Sequence, residues 1–469
     1  MWSRLSALIL CLACFPAVAA RAETAEAPKL EFATQSLGVT DMDHPFLVIR
    51  IASREGCNIA LLSAGGNPGT SRVIVDGKPG PEFEGILTHT PIFSPDQKRV
   101  VYGARKGEQW LAFEAGKNTE PAECVRWERI LETSFAFSTD SQHLAYVAKR
   151  DNAWYVVADG KETGPYEEIT NLPVWSRDGA RLVYGVRKGS QQCIVNQGEA
   201  GPAYDVVGAA VLSPDGQRLA YGAQQRGRQL IVVDGQAGEG YGGVYGETLQ
   251  FSPDSQHFAY AAEKGARRFV VYDGKEQPDF DAVARGSLKI SPDSRRIGYI
   301  ARKINQWVSV VDGTAGTTAY DKMEALTFSA DSQHFAYMGG DETGRFVAFD
   351  GKPGPEYPEI VKDSLIFAPT GASYAYCAIQ ENHKTAVVLN GKPLAEYETV
   401  GTPAFSPDGR HLTYRVNEGS QLFVHLDGKP VYGPTSLVTE PVIRRDGVLE
   451  FLLIDDNKTL QRVTAKIKP

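Results

Sequence analysis

The decapeptide FSPDSQHFAY occupies residues 251–260, and close copies stand at 137–146 (FSTDSQHLAY) and 328–337 (FSADSQHFAY). Each copy has an apolar start, a polar centre with one aspartate, and an Ala-Tyr end. Proline presets the φ angle of a turn, and aspartate can accept hydrogen bonds from the backbone that follows it. The decapeptide therefore predicts two strands joined by a tight turn.

Weaker copies extend this repeat along most of the chain. They are FSPDQKRVVY at 93–102, WSRDGARLVY at 175–184, LSPDGQRLAY at 212–221, ISPDSRRIGY at 290–299, FAPTGASYAY at 367–376, FSPDGRHLTY at 405–414 and the degenerate IRRDGVLEF at 443–451. The turn positions recur every 37 to 39 residues after a first interval of 44. This regularity predicts copies of one structural unit.

A second recurring element is an apolar run that ends in Asp-Gly or Asn-Gly. Examples are RVIVDGKPGPEFEGI at 72–86, WYVVADGKETGPYEEI at 154–169, FVVYDGKEQPDFDAV at 269–283 and FVAFDGKPGPEYPEI at 346–360. Both dipeptides favour type I′ hairpin turns, because both central residues need positive φ. The β-branched and aromatic residues before them are typical of strands.

Together the two elements predict four short antiparallel strands per repeat. The first leads into the Ser-Pro-Asp turn, the second carries the Ala-Tyr step, the third precedes Asp-Gly, and the fourth is the Tyr-Asp-x-Val run after it. Four strands in about 40 residues are typical of a β-propeller blade, and the period-2 alternation excludes a helical solenoid. We predict an all-β β-propeller of ten or eleven four-stranded blades of about 39 residues.

The signature at 93–102, 212–221, 251–260 and 405–414 resembles the WD-repeat-like β-propeller repeat of the TolB type. The resemblance covers roughly residues 70 to 455. It implies a propeller fold, a periplasmic location and binding to other envelope proteins. The chain departs from that type in having too many repeats for a six-bladed ring and no clear separate N-terminal domain.

Two arrangements of the repeat array, residues 45–469, are compatible with the sequence. Propellers commonly have about four to eight blades, which favours two rings with a split near the glycine-rich 235–246. The uninterrupted period favours one large ring. The last repeat ends after about three strands, and KLEFATQ at 29–35, within the N-terminal segment 23–44, could supply a ring-closing strand.

Residues 1–22 have the features of a secretory signal peptide. Arg4 provides a basic start, an apolar run extends from Leu5 to Cys14, and Ala17-Val18-Ala19 is a small-residue cleavage pattern. The apolar run is too short to span a bilayer, and no second long run follows. We expect a periplasmic or secreted protein without a transmembrane segment, and acylation of Cys14 is the less favoured alternative.

The composition excludes several classes of function. The chain has 49 basic and 57 acidic residues and no basic block, so nucleic acid is not an expected partner. Cys57, Cys124, Cys193 and Cys377 are widely spaced, which gives no thiolate metal motif. No nucleophile elbow, HExxH or phosphate-binding Gly-Lys-Ser/Thr loop occurs. We predict no catalytic residues, no metal and no cofactor.

Three kinds of polar or aromatic residue recur from blade to blade. They are a histidine or arginine three residues after each turn aspartate, the tyrosine that ends the decapeptide, and an acid after the fourth-strand aromatic. Four of the histidines could be metal ligands, and the acids could perform general acid–base chemistry. Because these residues recur in nearly every repeat, we predict structural roles for them instead.

Residues outside the repeat are better candidates for a binding site. The long first interval contains the insertion NTEPAECVRWERI at 118–130, in which Trp127 lies between Arg126 and Arg129. Tryptophan and arginine are enriched at interface hot spots, so we predict a binding role for these three residues. The alternative is an ordinary loop with a partly buried tryptophan. Asp41-Met42-Asp43-His44 is a weaker candidate, for a hard cation.

The sequence favours an exported, non-catalytic scaffold that binds a protein or a glycan in the cell envelope. The alternative is an extracellular polysaccharide lyase or hydrolase whose site is assembled from several blades at a mouth of the propeller. Spacing along the chain cannot expose such a site, and turnover of a defined glycan panel would discriminate between the two. The oligomeric state is left open.

Overall fold

A computed structural model describes residues 30–39, 48–52, 58–76, 78–115, 126–435, 439–455 and 459–467. Within these residues the chain forms antiparallel β-sheets and no α-helix. Eleven sheets follow one another and form one ring, which confirms the β-propeller and gives it eleven blades. The predicted signal peptide, residues 1–22, and the Asp41–His44 stretch lie outside the described residues.

Each blade begins with a strand that is often split in two. The first strands are Val48–Ala52; Gly85–Ile86 with Ile92–Phe93; Arg129–Ile130 with Ala136–Phe137; Glu168–Trp175; Val206–Leu212; Gly243–Phe251; Ala282–Val283 with Lys289–Ile290; Lys322–Phe328; Glu359–Ile360 with Ile366–Phe367; Thr399–Val400 with Ala404–Phe405; and Val442–Ile443. The second strands are Asn58–Ala64, Val100–Lys106, Leu144–Arg150, Leu182–Lys188, Leu219–Gln225, Phe258–Lys264, Ile297–Lys303, Phe335–Gly340, Tyr374–Ile379, Leu412–Glu418 and Val448–Ile454.

Third and fourth strands complete the blades. The third strands are Ser71–Val75, Gln109–Glu114, Ala153–Ala158, Gln191–Asn196, Arg228–Val233, Arg267–Tyr272, Gln306–Val311, Arg345–Phe349, Thr385–Leu389, Gln421–Leu426 and Thr459–Lys466. The fourth strands are Lys78–Phe83, Lys161–Tyr166, Glu199–Ala200, Gln236–Ala237, Lys275–Glu276, Thr314–Ala315, Lys352–Pro353, Lys392–Tyr397, Lys429–Thr435 and, in blade 11, Phe32–Val39. In blade 2 the fourth position is a single bridge between Trp110 and Trp127.

The predicted fourth strand needs a correction, since the Tyr-Asp-x-Val run divides between two blades. Tyr204 exchanges two backbone hydrogen bonds with Gln192 and so ends blade 4. The next residue, Asp205, donates its N–H to Gln224 of blade 5, and Val206 begins the first strand there. The aromatic residue marks the crossing because its ring packs between the two sheets.

Blade 11 contains both ends of the described chain. Phe32–Val39 pairs antiparallel with Thr459–Lys466, with Phe32 opposite Ala465 and Val39 opposite Thr459. The strand from the N-terminal side is the outermost of this sheet, beside the three strands from the C-terminal side. The ring is therefore closed by pairing between distant parts of the sequence, and we refer to blade 11 as the closing blade.

The core lies between neighbouring blades. The second-strand tyrosine of one blade meets the fourth-strand aromatic of the preceding blade, as in Tyr204–Tyr221, Tyr241–Tyr260 and Phe280–Tyr299, with ring centroids 6.2 to 6.4 Å apart. Tyr102, Tyr299, Tyr376 and Tyr414 have no exposed surface. The predicted packing role of this tyrosine is what the geometry shows. Edge-to-face pairs of this kind contribute about 0.5–1.5 kcal/mol beyond their buried area.

The ring has two distinct faces. First strands of adjacent blades contact one another, so they lie at the centre of the ring. The hairpins between second and third strands project on one side, which we call the hairpin face. The Ser-Pro-Asp and Asp-Gly turns project on the opposite side.

Candidate functional site

The turn aspartates are held by hydrogen bonds within and between blades. The Ser213 hydroxyl donates to Asp215 Oδ1 at 2.5 Å, and the Asp215 N–H donates to Ser255 Oγ of the next blade at 3.0 Å. The hydrogen bond from Ser213 is the main cause that lowers the pKa of Asp215. The same inter-blade bond joins Asp96 to Ser141, Asp254 to Ser294, and Asp293 to Ser332. The carboxylates therefore order each turn, and the backbone N–H groups of the same aspartates join neighbouring blades.

In six blades the basic residue after the turn binds the Asp-Gly aspartate of its own blade, whereas Arg99 binds Glu114 and Arg181 binds Asn196. Arg218 Nε donates to Asp234 Oδ2 at 3.0 Å, and its Nη1 donates to the Gln256 carbonyl of the next blade at 2.7 Å. Histidines make the equivalent contact through Nδ1, in the pairs His143–Asp159, His257–Asp273, His334–Asp350 and His411–Asp427. Each histidine is committed to a different blade, which supports the structural interpretation. No group of three or more metal-ligating side chains occurs among the described residues.

The recurring acid after the fourth-strand aromatic caps the hairpin of the next blade. The Gly107 N–H donates to Glu84, the Gly189 N–H to Glu167 and the Ile304 N–H to Asp281, at 2.8 to 3.2 Å. Asp205 accepts from the Arg226 N–H in the same way, at 2.8 Å. These carboxylates accept hydrogen bonds from backbone N–H groups. They do not face one another in pairs around a common ligand.

Two cysteines and two histidines outside the repeated turn positions are buried or paired. Burial raises the pKa of Cys193 and raises that of Cys377 to about 12, so both thiols stay protonated at neutral pH. Burial lowers the pKa of His425 to about 4. His89 pairs with Glu132 at 2.9 Å. In the glycine-rich 235–246, Gly235 lies in a hairpin turn with φ of 80° and is followed by strand, which is no phosphate-binding loop.

Trp127 lies inside the ring, at the fourth-strand aromatic position of blade 2. It exchanges two backbone hydrogen bonds with Trp110, its ring lies 5.6 Å from that of Tyr155 in blade 3, and it has no exposed surface. Its indole therefore supports the blade interface and cannot reach a partner directly. Arg126 and Arg129, on either side of it, are exposed on the hairpin face. The binding role of this segment stays a prediction.

The structure adds Lys149 to this region. Lys149 lies on the second strand of blade 3, directly opposite Arg129 on the first strand. Its ammonium group is 5.7 Å from the centre of the Trp154 ring. We call Arg126, Arg129 and Lys149 the cationic corner. Sequence reasoning missed Lys149 because it lies twenty residues from Arg129 and belongs to a repeated strand.

Two aromatic rings and one acid hold Arg150, which follows Lys149 on the same strand and points to the opposite face of the sheet. The Arg150 guanidinium lies 4.7 Å from the Trp127 ring and 5.1 Å from the Tyr155 ring. Arg150 also forms an ion pair with Glu162 at 2.7 Å. Stacking of this kind is worth about 0.5–1 kcal/mol at exposed sites. Trp127 thus orders the strand that carries Lys149 and Arg150.

Comparison with known proteins gives likeness in fold. No protein-family model and no curated protein matches the chain. Solved structures that are similar include a eukaryotic initiation factor, 14% identical over 71% of this chain and 91% of that one, with a TM-score of 0.41. TolB from Acinetobacter baumannii is also 14% identical, over 58% of this chain and 78% of that one, with a TM-score of 0.26.

A third similar structure is the β-propeller domain of Myceliophteria_thermophila Cps50 (Swd1). It is 12% identical over 55% of this chain and 97% of that one, with a TM-score of 0.26. The chain itself is an eleven-bladed β-propeller.

Proposed function

We propose that this propeller is an exported, non-catalytic scaffold that binds a partner protein in the cell envelope. One observation carries the proposal: the recurring aspartates, histidines, arginines and acids described above bind one another, a serine side chain of the adjacent blade, or backbone groups. The repeated polar groups are thus engaged in holding the ring together. The exposed groups that remain are available to bind a partner. Among the described residues of the insertion that breaks the repeat, Arg126, Glu128 and Arg129 are exposed.

Export is a proposal that rests on residues 1–22. A fusion of residues 1–30 to alkaline phosphatase, which is active only after export, should give phosphatase activity in intact bacteria. A matched fusion with Leu8, Ile9 and Leu10 changed to Gln should not, because the apolar run would be broken. Activity of both fusions, or of neither, would contradict export by this segment.

Partner binding can be tested by cross-linking on the hairpin face. The purified chain, labelled with a photo-cross-linker at Lys106 beside the insertion, should capture one dominant protein from envelope extracts. The R126A/R129A variant should lose most of that capture, while a K188A/K303A control on other blades of the same face should retain it. Equal capture by all three proteins would show that the insertion is not the contact.

A glycan partner and a glycan-cleaving activity are the outcomes that would overturn the proposal. Incubation of the purified protein with a panel of uronic-acid and neutral polysaccharides should release no new reducing ends or unsaturated products. Retention of the protein on an immobilised glycan, with loss of retention in R126A/R129A, would reassign the partner class. Both measurements use the same purified chain as the cross-linking experiment.

A further inference from the structure

Arg129 and Lys149 form a like-charged pair across two neighbouring strands. Residues directly opposite each other in an antiparallel pair have Cβ atoms about 5 Å apart, and like charges there are destabilising. In blade 4 the same level of the sheet carries Glu168 opposite Arg187, with an ion pair of 2.5 Å. Among the described first-strand residues paired at this level, only Arg129 faces a residue of its own charge.

The acids nearest to this pair are occupied elsewhere. Glu128 accepts the Asp151 N–H at 3.1 Å. Glu132 is hydrogen-bonded to His89 at 2.9 Å, which is the main cause that lowers the Glu132 pKa, and the charge of Arg129 adds a smaller contribution. Glu162 holds Arg150. Within the described residues, no carboxylate lies within ion-pair distance of Arg129 or Lys149.

The cationic corner is also partly ordered before any ligand arrives. The Lys149 ammonium group lies over the Trp154 ring, at 5.7 Å from its centre. Within the part of the chain that the structure describes, the exposed Arg126 makes one long hydrogen bond, of 3.4 Å, to Gln109. Cations that are held by stacking lose less side-chain entropy on binding, so they favour recognition of an anionic group. Arginine adds the capacity for two parallel hydrogen bonds to one carboxylate.

The charge of the whole protein limits what this anion can be. The chain carries a formal net charge of −8, so an extended polyanion or an anionic membrane would be repelled by the rest of the surface. A short segment with two or three carboxylates could be bound locally. We propose that the cationic corner binds a short acidic segment of a partner protein. This inference rests on the proposed scaffold function and names the chemistry of the partner.

The test is binding of a fluorescein-labelled (Glu-Gly)5 peptide, measured by fluorescence anisotropy at low salt. The R129Q/K149Q variant should weaken binding by about 5- to 10-fold, because two interfacial charges are lost. The control K188Q/K303Q removes the same number of charges from the same face of blades 4 and 7 and should change the Kd less than about 2-fold. The uncharged (Gln-Gly)5 peptide should bind none of the three proteins.

Three outcomes would overturn the proposal. They are equal binding by wild type and R129Q/K149Q, equal weakening in the control variant, and tighter binding of polygalacturonate than of the peptide. Failure of the scaffold function itself has a different signature. In that case no envelope protein is cross-linked by any variant, whereas failure of the acidic-segment inference leaves a cross-linked partner that R129Q/K149Q still captures.

Discussion

The interfaces between blades differ between the repeat array and the closing blade. The residue after the second-strand tyrosine faces the next blade and is small or apolar in blades 2 to 9; the set is Gly103, Val147, Gly185, Gly222, Ala261, Ile300, Met338 and Cys377. In blade 10 it is Arg415, which pairs at 3.0 Å with Glu440 of blade 11. An apolar contact is thus replaced by an ion pair.

A second ion network lies on the other side of the closing blade. The residue before the second-strand aromatic is apolar in blades 2 to 9, but in blade 11 it is the fully buried Glu450. Arg444 Nη1 lies 3.1 Å and Arg462 Nε 3.6 Å from its carboxylate. Arg462 also lies 3.8 Å from Asp76 of blade 1. Charged groups therefore flank the blade that closes the ring.

This contrast bears on how the ring closes. Interfaces of uniformly apolar character would let a terminal blade pack at several positions, since apolar contacts are not directional. Buried ion pairs contribute little net stability but can fix one arrangement, because every alternative leaves a charge unpaired. We interpret the two ion networks as the elements that set the register of closure.

The largest loss of stability is expected from a substitution within an apolar interface between blades. Ile300 of blade 7 is fully buried against Leu326 and Phe328 of blade 8. The Ile300→Ala change should lower the free energy of unfolding by about 3 kcal/mol, because it removes buried methylenes and leaves a cavity. Urea unfolding at low and at high salt should give the same decrease in the free energy of unfolding. A loss that depends on salt would contradict the apolar character of this interface.

The next effect breaks the Glu450 network. Glu450→Ala leaves Arg444 and Arg462 facing each other without their shared carboxylate, so we expect a loss of about 2 kcal/mol, less than for a fully buried pair because both arginines are partly exposed. Hydrogen exchange of Val448–Ile454 should increase in the same variant. Exposed Glu359→Ala is the control and should change stability by less than about 0.5 kcal/mol. Equal losses of stability in Glu450→Ala and Glu359→Ala would show that the Glu450 network contributes no more than an exposed glutamate does.

A smaller loss of stability is expected when one partner of the Arg415–Glu440 ion pair is replaced. Arg415→Met leaves Glu440 without its cation and should cost about 1 kcal/mol, since both side chains are roughly a third exposed. The double variant R415M/E440L should recover wild-type stability or exceed it, because an apolar pair of similar volume replaces the ions. A double variant less stable than R415M would show that the ion pair itself supplies the stability.

The smallest effect is a dependence on pH. Burial raises the pKa of Glu440 above its ordinary 4.5, and Arg415 only partly opposes this. The folded state therefore binds the proton more tightly, so this contribution to stability is present below pH 4.5 and is lost as pH rises through the raised pKa. Glu440→Gln should equal wild type at pH 4 and exceed it by less than about 1 kcal/mol at pH 7. A constant difference across this range would contradict the raised pKa.

Much of the fold could be predicted because the decisive signals are local. Turn residues, the Asp-Gly pairs and the recurrent tyrosine act over a few neighbours, so the number of strands and the role of Tyr221 or Tyr260 follow from the repeat. The repeat did not predict that the Tyr-Asp-x-Val run is divided between two blades. Tyr204 and Asp205 are adjacent in sequence, yet their backbones form hydrogen bonds with different sheets. The residue types around Trp127 predict a contact residue, whereas the structure buries Trp127 at an aromatic position in the core.

The repeat, the all-β class and the structural role of the recurring side chains follow from local sequence, because each depends on residues within one period. The folded chain was needed to show that eleven blades form one ring, that Lys149 joins Arg129, and that Arg415 and Glu450 meet their partners across the closing blade. Those contacts join residues that the chain separates by tens to hundreds of positions. Their distances are set by the curvature of the whole ring, which no local pattern encodes.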